Sequence, residues 1–513
     1  MFYLTKQIRV RRSGLITFAI KLGSTLTGFA FIVLVTSNLP TTDFGLWQLI
    51  SRVISYTIFV VNIPIFWSTR YRARGTILGK SAMVEAALFS LVLTSFYLVI
   101  SFILAGAISG NYSTNLYFFL ISAVQIPLYT FSGVLEGILW GAAPERASFG
   151  FGVFEIAKVV IGGLAVAVFH LSLTGAILAV TGAQAVQIAV ALYLARGEFT
   201  DKVSFEIIRR MLRSGWLAIL NLSGTFVATF DVLLVALVTG AIAENLIALY
   251  SAALVYASVV TYSNWIAFGL YAGILSGIDP RRSANQILEL QYFFTAPMVV
   301  GEIILAYPLL HVFKQDYALG VPILTVLAIA SAFNAFSLTF DSIITGSDRS
   351  DAATDATFAS FLKSKLFLVA KINIITSAIY LVVVSSVSHY FALGGPVIFG
   401  MQQDLFIGVV WATAALGMWA TNVLLKVQLV RKITYLSISS KNFVSLVLGT
   451  ASFGAILYLL SRIIVIRGGA VLQALYILVM GSVGLLVYAA IVMSISSEMR
   501  KLTKQAIQSL LNR

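Results

Sequence analysis

Apolar residues in this chain come in long blocks parted by short polar stretches, from one end to the other. About 20 such residues at 1.5 Å each cross the hydrocarbon of a bilayer. The blocks 15–38, 43–67, 83–108, 116–140, 148–170, 174–195, 214–239, 247–276, 289–313, 318–345, 365–388, 396–425, 443–461 and 470–495 therefore predict about 14 transmembrane helices. No stretch has the polarity of a soluble domain, so the expected class is an all-α, polytopic membrane protein. With 59% hydrophobic and 11% charged residues and a mean hydropathy of +0.96, composition agrees.

Charge placement then sets the expected topology. Counting alternate loops, the segments on the side of the N-terminus carry 27 of the 34 Lys and Arg and the opposite loops carry three, Lys314, Arg462 and Arg467. Basic loops stay cytoplasmic, so both termini are expected inside a plasma membrane. The formal charge of +14 is thereby topological and does not call for nucleic acid. The first apolar block is too long for a cleaved signal and reads as a retained span. Absence of cysteine excludes disulfides and thiolate metal sites.

Short matches recur in order along the chain. "RSG" at Arg12 to Gly14 returns at Arg213 to Gly215, "FSGVLEGILWG" (131–141) matches "FSLTFDSIITG" (336–346), and "FEIAK" (154–158) matches "FLVAK" (367–371). The offset only grows, as in a duplication whose insertions fall in loops. An even number of spans separates the copies, so the repeat is parallel, with two pseudo-symmetric six-helix lobes. The organisation expected is a basic N-terminus (1–14), an N-lobe (15–200), a C-lobe (201–430) with a cytoplasmic insertion (346–364), and a segment 431–513 holding a final helix pair and a basic tail.

Four cations fall inside predicted spans: Lys21, Arg52, Lys158 and Lys371. A charge at the bilayer centre costs roughly 2.5–3.5 kcal/mol on insertion scales, so each needs a partner, a route to the interface or a function. Lys158 follows Glu155 by three residues, the spacing of a local ion pair. Lys371, its repeat mate, has Leu368 at the matching place. Lys21 and Lys371 could also snorkel, whereas Arg52 lies deeper. Among the acids, Glu136 and Asp341 are repeat mates expected to brace an inner gate. Gly133, Gly137 and Gly141, at four-residue spacing beside Glu136, suggest a close helix-packing face. Asp231 and Asp404 are expected either to pair with a cation across a cavity or to hold a coupling Na⁺ or H⁺. No Walker A, G-x-S-x-G or H-E-x-x-H motif is present, and an enzyme is not expected.

"VTSNLPTTDFGLWQL" (35–49), "ALYSAALVYASV" (248–259) and "LLHVFKQDYALGVPILTVLAIAS" (309–331) resemble stretches of polysaccharide flippases. These belong to the multidrug/oligosaccharidyl-lipid/polysaccharide exporter superfamily. The resemblance implies two rocking lobes that flip a polyprenyl-phosphate-linked oligosaccharide between leaflets by alternating access, for cell-envelope polysaccharide biosynthesis. By that resemblance Lys21 and Arg52 engage the lipid phosphate, with Lys158 and Lys371 as further candidates. Implied partners are the lipid-linked glycan, membrane lipids and other glycan-assembly enzymes. The alternatives are a multidrug extruder of the same superfamily, which needs acids in the first lobe, and a membrane-embedded glycan polymerase or glycosyltransferase.

Overall fold

The computed structural model describes residues 16–107, 112–348, 362–394, 401–436, 440–463, 470–497 and 500, less single positions within 22–40 and residues 240–242, 278 and 314. The basic termini, most of the 346–364 insertion and the side chain of Arg52 lie outside the described residues. All regular structure among the described residues is helical. The chain forms two compact units. Unit 1 is Met1–Ile219 with Leu275–Ile278, and unit 2 is Leu220–Ile274 with Asp279–Arg513.

Unit 1 begins with α1, the helical positions described between 16 and 38. Next come α2 (Thr41–Ile58), α3 (Asn62–Ala73), α4 (Gly79–Ala107), α5 (Tyr112–Ser122), α6 (Gln125–Ala142), α7 (Pro144–Gly162), α8 (Ser172–Leu194) and α9 (Phe205–Arg213). The helix α10 (Gly215–Ala228) runs from unit 1 into unit 2. Unit 2 continues with α11 (Asp231–Thr239), α12 (Ala243–Thr261), α13 (Phe268–Leu275), α14 (Pro280–Ile304), α15 (Ala306–Phe313), α16 (Val321–Gly346), α17 (Lys365–Ala392), α18 (Gln403–Arg431), α19 (Ser440–Ile463) and α20 (Ala470–Ile495).

Local chemistry fixes several boundaries. Pro144 opens α7, where its missing N–H costs nothing. Ser364 Oγ caps α17 by accepting from Phe367 N at 3.1 Å. Asp201 caps α4 from outside, its carboxylate accepting from Lys80 N at 2.9 Å and Ser81 N at 3.3 Å. The turn between α3 and α4 passes through Gly75 at φ +96°, where a Cβ would be strained.

Among the described residues, 11 helices are long and apolar enough to cross a membrane. They correspond to all the predicted spans but the first, second and seventh. The second is divided, α2 giving way to a 3-10 turn at Phe59–Val61 and then α3. The seventh breaks between α10 and α11. Large apolar side chains face outward along the spans, Leu91 and Val92 on α4 and Leu486 on α20 among them. Such a surface suits lipid and would be unstable in water.

The glycine face on α6 receives α3. A Cβ at Gly137 would lie 2.8 Å from the Ile65 carbonyl oxygen, and one at Gly141 would lie 2.5 Å from that of Thr69. Thr69 Oγ1 donates to the Gly137 carbonyl at 2.9 Å, a bond that only so close an approach allows. In unit 2 the broadest packing joins α16 to α18, and α19 and α20 pack on each other and on α14 and α15.

Candidate functional site

In unit 1, polar side chains from α1, α6, α7 and α8 meet inside the membrane-spanning layer. Lys21 on α1 places its ammonium 3.1 Å from the centroid of the Phe151 ring on α7. Such a contact is worth about 0.5–2 kcal/mol, more as water is excluded. Two further polar pairs tie α1 to α7: Thr17 Oγ1 and Ser148 Oγ at 2.6 Å, and Thr27 Oγ1 donating to Glu155 Oε2 at 3.1 Å. Glu155 also holds Lys158 Nζ at 2.9 Å, the ion pair that their three-residue spacing predicts. The rings of Phe31 and Phe154 lie 5.4 and 5.1 Å from that ammonium.

Glu136 on α6 accepts a hydrogen bond from the amide of Gln187 on α8. It also lies within electrostatic reach of Lys21, as does Glu155. The cluster thus combines two ammonium groups, two carboxylates and three aromatic rings. One turn before Gln187, Gln184 is buried, and neither its amide oxygen nor its nitrogen has a hydrogen-bond partner among the described residues. An orphaned buried amide is a place for a polar ligand atom or water.

In unit 2, two polar networks hold the sequence-predicted acids Asp231 and Asp341. In the first, the break between α10 and α11 leaves Asp231 at a helix N-terminus, its carboxylate accepting from Val232 N at 2.8 Å. The same carboxylate accepts from Tyr380 Oη at 2.6 Å and Trp411 Nε1 at 3.1 Å. Tyr250 stacks flat on Trp411, with ring centroids 3.6 Å apart. A half-helix N-terminus, two side-chain donors and an aromatic stack hold the carboxylate in one orientation.

The second network centres on Asp341 of α16. Lys426 Nζ on α18 lies 2.8 Å from each carboxylate oxygen and donates to Ser337 Oγ at 2.7 Å. Asn373 Nδ2 on α17 adds a longer contact at 3.4 Å. Lys426 is fully buried.

Among the remaining sequence candidates, Lys371 and Asp404 have no described contact with these groups. Lys371 is exposed on α17. Asp404 is in the first turn of α18, where its side chain accepts from Leu405 N at 2.8 Å, so it lies at a helix end and not deep in a span. Arg52 sits on α2, with its side chain outside the described residues.

Hydropathy alone misplaces two cations. Lys426 falls just past the predicted end of the twelfth span at 425, yet α18 runs on to Arg431 and buries it. Arg70, placed by sequence in a cytoplasmic loop, is buried in α3 with its guanidinium 5.6 Å from the Phe66 ring. Gln187, Tyr380 and Trp411 carry no charge and gave no signal. For Lys426 the cue was available, because Asn422 and Lys426 share one face of a helix.

The chain has the fold of solved MATE proteins. A MATE protein crystallised in complex with MaL6 superposes with a TM-score of 0.64 at 15% identity, over 83% of this chain and 98% of its own. An outward-facing multidrug resistance MATE family transporter of the MOP superfamily gives 0.62 at 14%, over 83% and 96%. A MOP superfamily transporter from Pyrococcus furiosus, described as having a binding pocket of reversed polarity, gives 0.63 at 14%, over 83% and 96%. The two-lobed, six-plus-six-helix MATE fold is thereby shown, with this chain longer than the transporters it matches. No protein-family model matches the chain, and no curated protein matches it.

Proposed function

We propose that the chain is a secondary transporter that moves an amphiphile with an ionic head by alternating exposure of the unit 1 cluster. The observation that carries this is Lys21 lying over Phe151 of the spanning helix α7, within electrostatic reach of Glu136 and Glu155, with Lys158 paired to Glu155. Charged groups at that depth are costly unless they serve a pathway or one another. An ammonium held by a ring face keeps its capacity to bind an anion, and a carboxylate held by an amide keeps its capacity to bind a cation.

Two cargoes fit. Multidrug-type extrusion of organic cations has the more direct support from the likeness in fold, and Glu136 and Glu155 supply the first-lobe acids it needs. Flipping of a lipid-linked oligosaccharide draws on Lys21, on the sequence resemblance and on the additional pair α19 and α20. In that reading the Lys21 ammonium meets the lipid phosphate as a point charge. A coupling Na⁺ or H⁺ belongs to the proposal in either case, with Asp231 as its candidate site.

Proteoliposomes carrying a fluorescent polyprenyl-phosphate oligosaccharide or a fluorescent lipophilic cation test the two. Loss of glycolipid flipping in folded Lys21→Ala, with cation efflux absent from wild type, supports the flippase. Cation efflux that Glu136→Gln abolishes supports the extruder. If wild type moves neither cargo, both readings fall.

A further inference from the structure

The helix α9 has a surface that the transport proposal does not use. It is nine residues long, FEIIRRMLR, and Ser204 caps it, its Oγ accepting from Ile207 N at 3.4 Å. At roughly 100° per residue its side chains sort into adjoining sectors. Ile208 and Met211 are buried and form the face that packs on α3 and α4. Beside them lie Leu212 and Phe205, which are exposed, Phe205 by 73%. Next come Arg209 and Arg213, both exposed, and beyond these Glu206 and Arg210. A helix that merely capped a soluble surface would not set a bare apolar strip between its buried face and its arginines. An in-plane membrane helix does.

Its level in the fold agrees. The preceding segment is fastened to the first turn of α4, a spanning helix. Asp201 binds Lys80 N and Ser81 N there, and Ser204 N donates to Ser81 Oγ at 3.0 Å. Glu198 is held by Arg72 at the end of α3. At the end of α8, another spanning helix, the Arg196 guanidinium lies 4.8 Å from the ring of exposed Tyr193, an aromatic-basic pairing suited to the headgroup layer. The helix α9 therefore lies where spanning helices begin and end, with apolar side chains available to acyl chains and cations beside them.

We propose that α9 is a binding surface for anionic phospholipid. Phe205 and Leu212 enter the acyl boundary while Lys202, Arg209 and Arg213 contact headgroup phosphates. The charge balance selects anionic over zwitterionic lipid, since the exposed groups on this stretch are three cations against Glu206.

The chain has no cysteine, so Leu212→Cys gives one attachment point for a spin label in the full-length protein. The protein is reconstituted in vesicles of phosphatidylcholine alone and with about 30% phosphatidylglycerol, a negative surface on which basic residues gain affinity. Collision rates with oxygen and with a water-soluble nickel chelate report immersion. The expected result is a label that becomes oxygen-accessible and chelate-protected as phosphatidylglycerol is added. Each of Arg209→Gln and Arg213→Gln should weaken this response roughly fivefold, and the double lysine variant should retain it. A label open to the chelate in both vesicles overturns the proposal. So does equal immersion in both, which would mean apolar insertion without charge recognition, or a response unchanged in the double glutamine variant of a normally folded protein.

Discussion

Glu136 and Asp341, matched by the sequence repeat, have carboxylates that are held differently. In unit 1 the partner is the neutral amide of Gln187. In unit 2 it is the buried ammonium of Lys426, backed by Ser337 and Asn373. The lysine mates show the reverse. Lys158 is paired with Glu155 on its own helix, whereas Lys371 is exposed. If the sequence matches mark a duplication, the acid position is common to both copies and the compensating cation is not. Unit 1 concentrates lysines on α1 and α7 near its acids, and unit 2 spends its buried lysine on bracing α16 to α18. The difference teaches that one acid position can be held by a neutral amide in unit 1 and fixed in a buried ion pair in unit 2.

The largest expected effect comes from breaking that ion pair. Lys426→Met leaves the Asp341 carboxylate without its main partner and should destabilise the protein by about 3–5 kcal/mol. The readout is thermal unfolding of purified protein. Adding Asp341→Asn should restore most of the loss, because a buried pair replaced on both sides is often close to neutral. If Lys426→Met unfolds at the wild-type temperature, the pair is not the brace inferred above.

The lysine mates give the next contrast. Lys158→Ala removes a charge-assisted contact from Glu155 and should cost about 1.5–3 kcal/mol. Lys371→Ala, on an exposed surface, should stay within about 0.5 kcal/mol. Equal losses at the two positions in the same unfolding assay would erase the distinction between the copies.

Which features sequence reveals follows from the range of the interactions that create them. Spanning helices are legible because each satisfies its own backbone and needs only an apolar run. Glu155 with Lys158 is legible for a similar reason, both partners being on one helix. The glycines on α6 announce a close approach through their spacing, although not its partner α3. The cation over Phe151, the Trp411 and Tyr380 donors to Asp231, and the Lys426 brace each join residues far apart in the chain. Only assembled packing brings these together. The break at Thr229 and Phe230 is hidden for a different reason, since hydropathy registers apolarity and not backbone direction.

The last contrast comes from the glycine face, and it again separates the copies. Repeat alignment sets Gly137 against Ser342 and Gly141 against Gly346. A Cβ at Gly141 would lie 2.5 Å from a backbone oxygen of α3, which cannot yield without moving the helix. A Cβ at Gly346 would lie 3.3 Å from a side-chain carbon of Tyr271, which can shift. Gly141→Ala should therefore cost about 1–3 kcal/mol by overpacking. Gly346→Ala should be milder, with the helix-propensity gain of about 0.5–1 kcal/mol offsetting part of the crowding. Parallel unfolding of the two variants tests whether α3 and α6 are the tighter joint. An equal or larger loss at Gly346 would show that close helix approach, unlike the bracing of the acids, was conserved through the duplication.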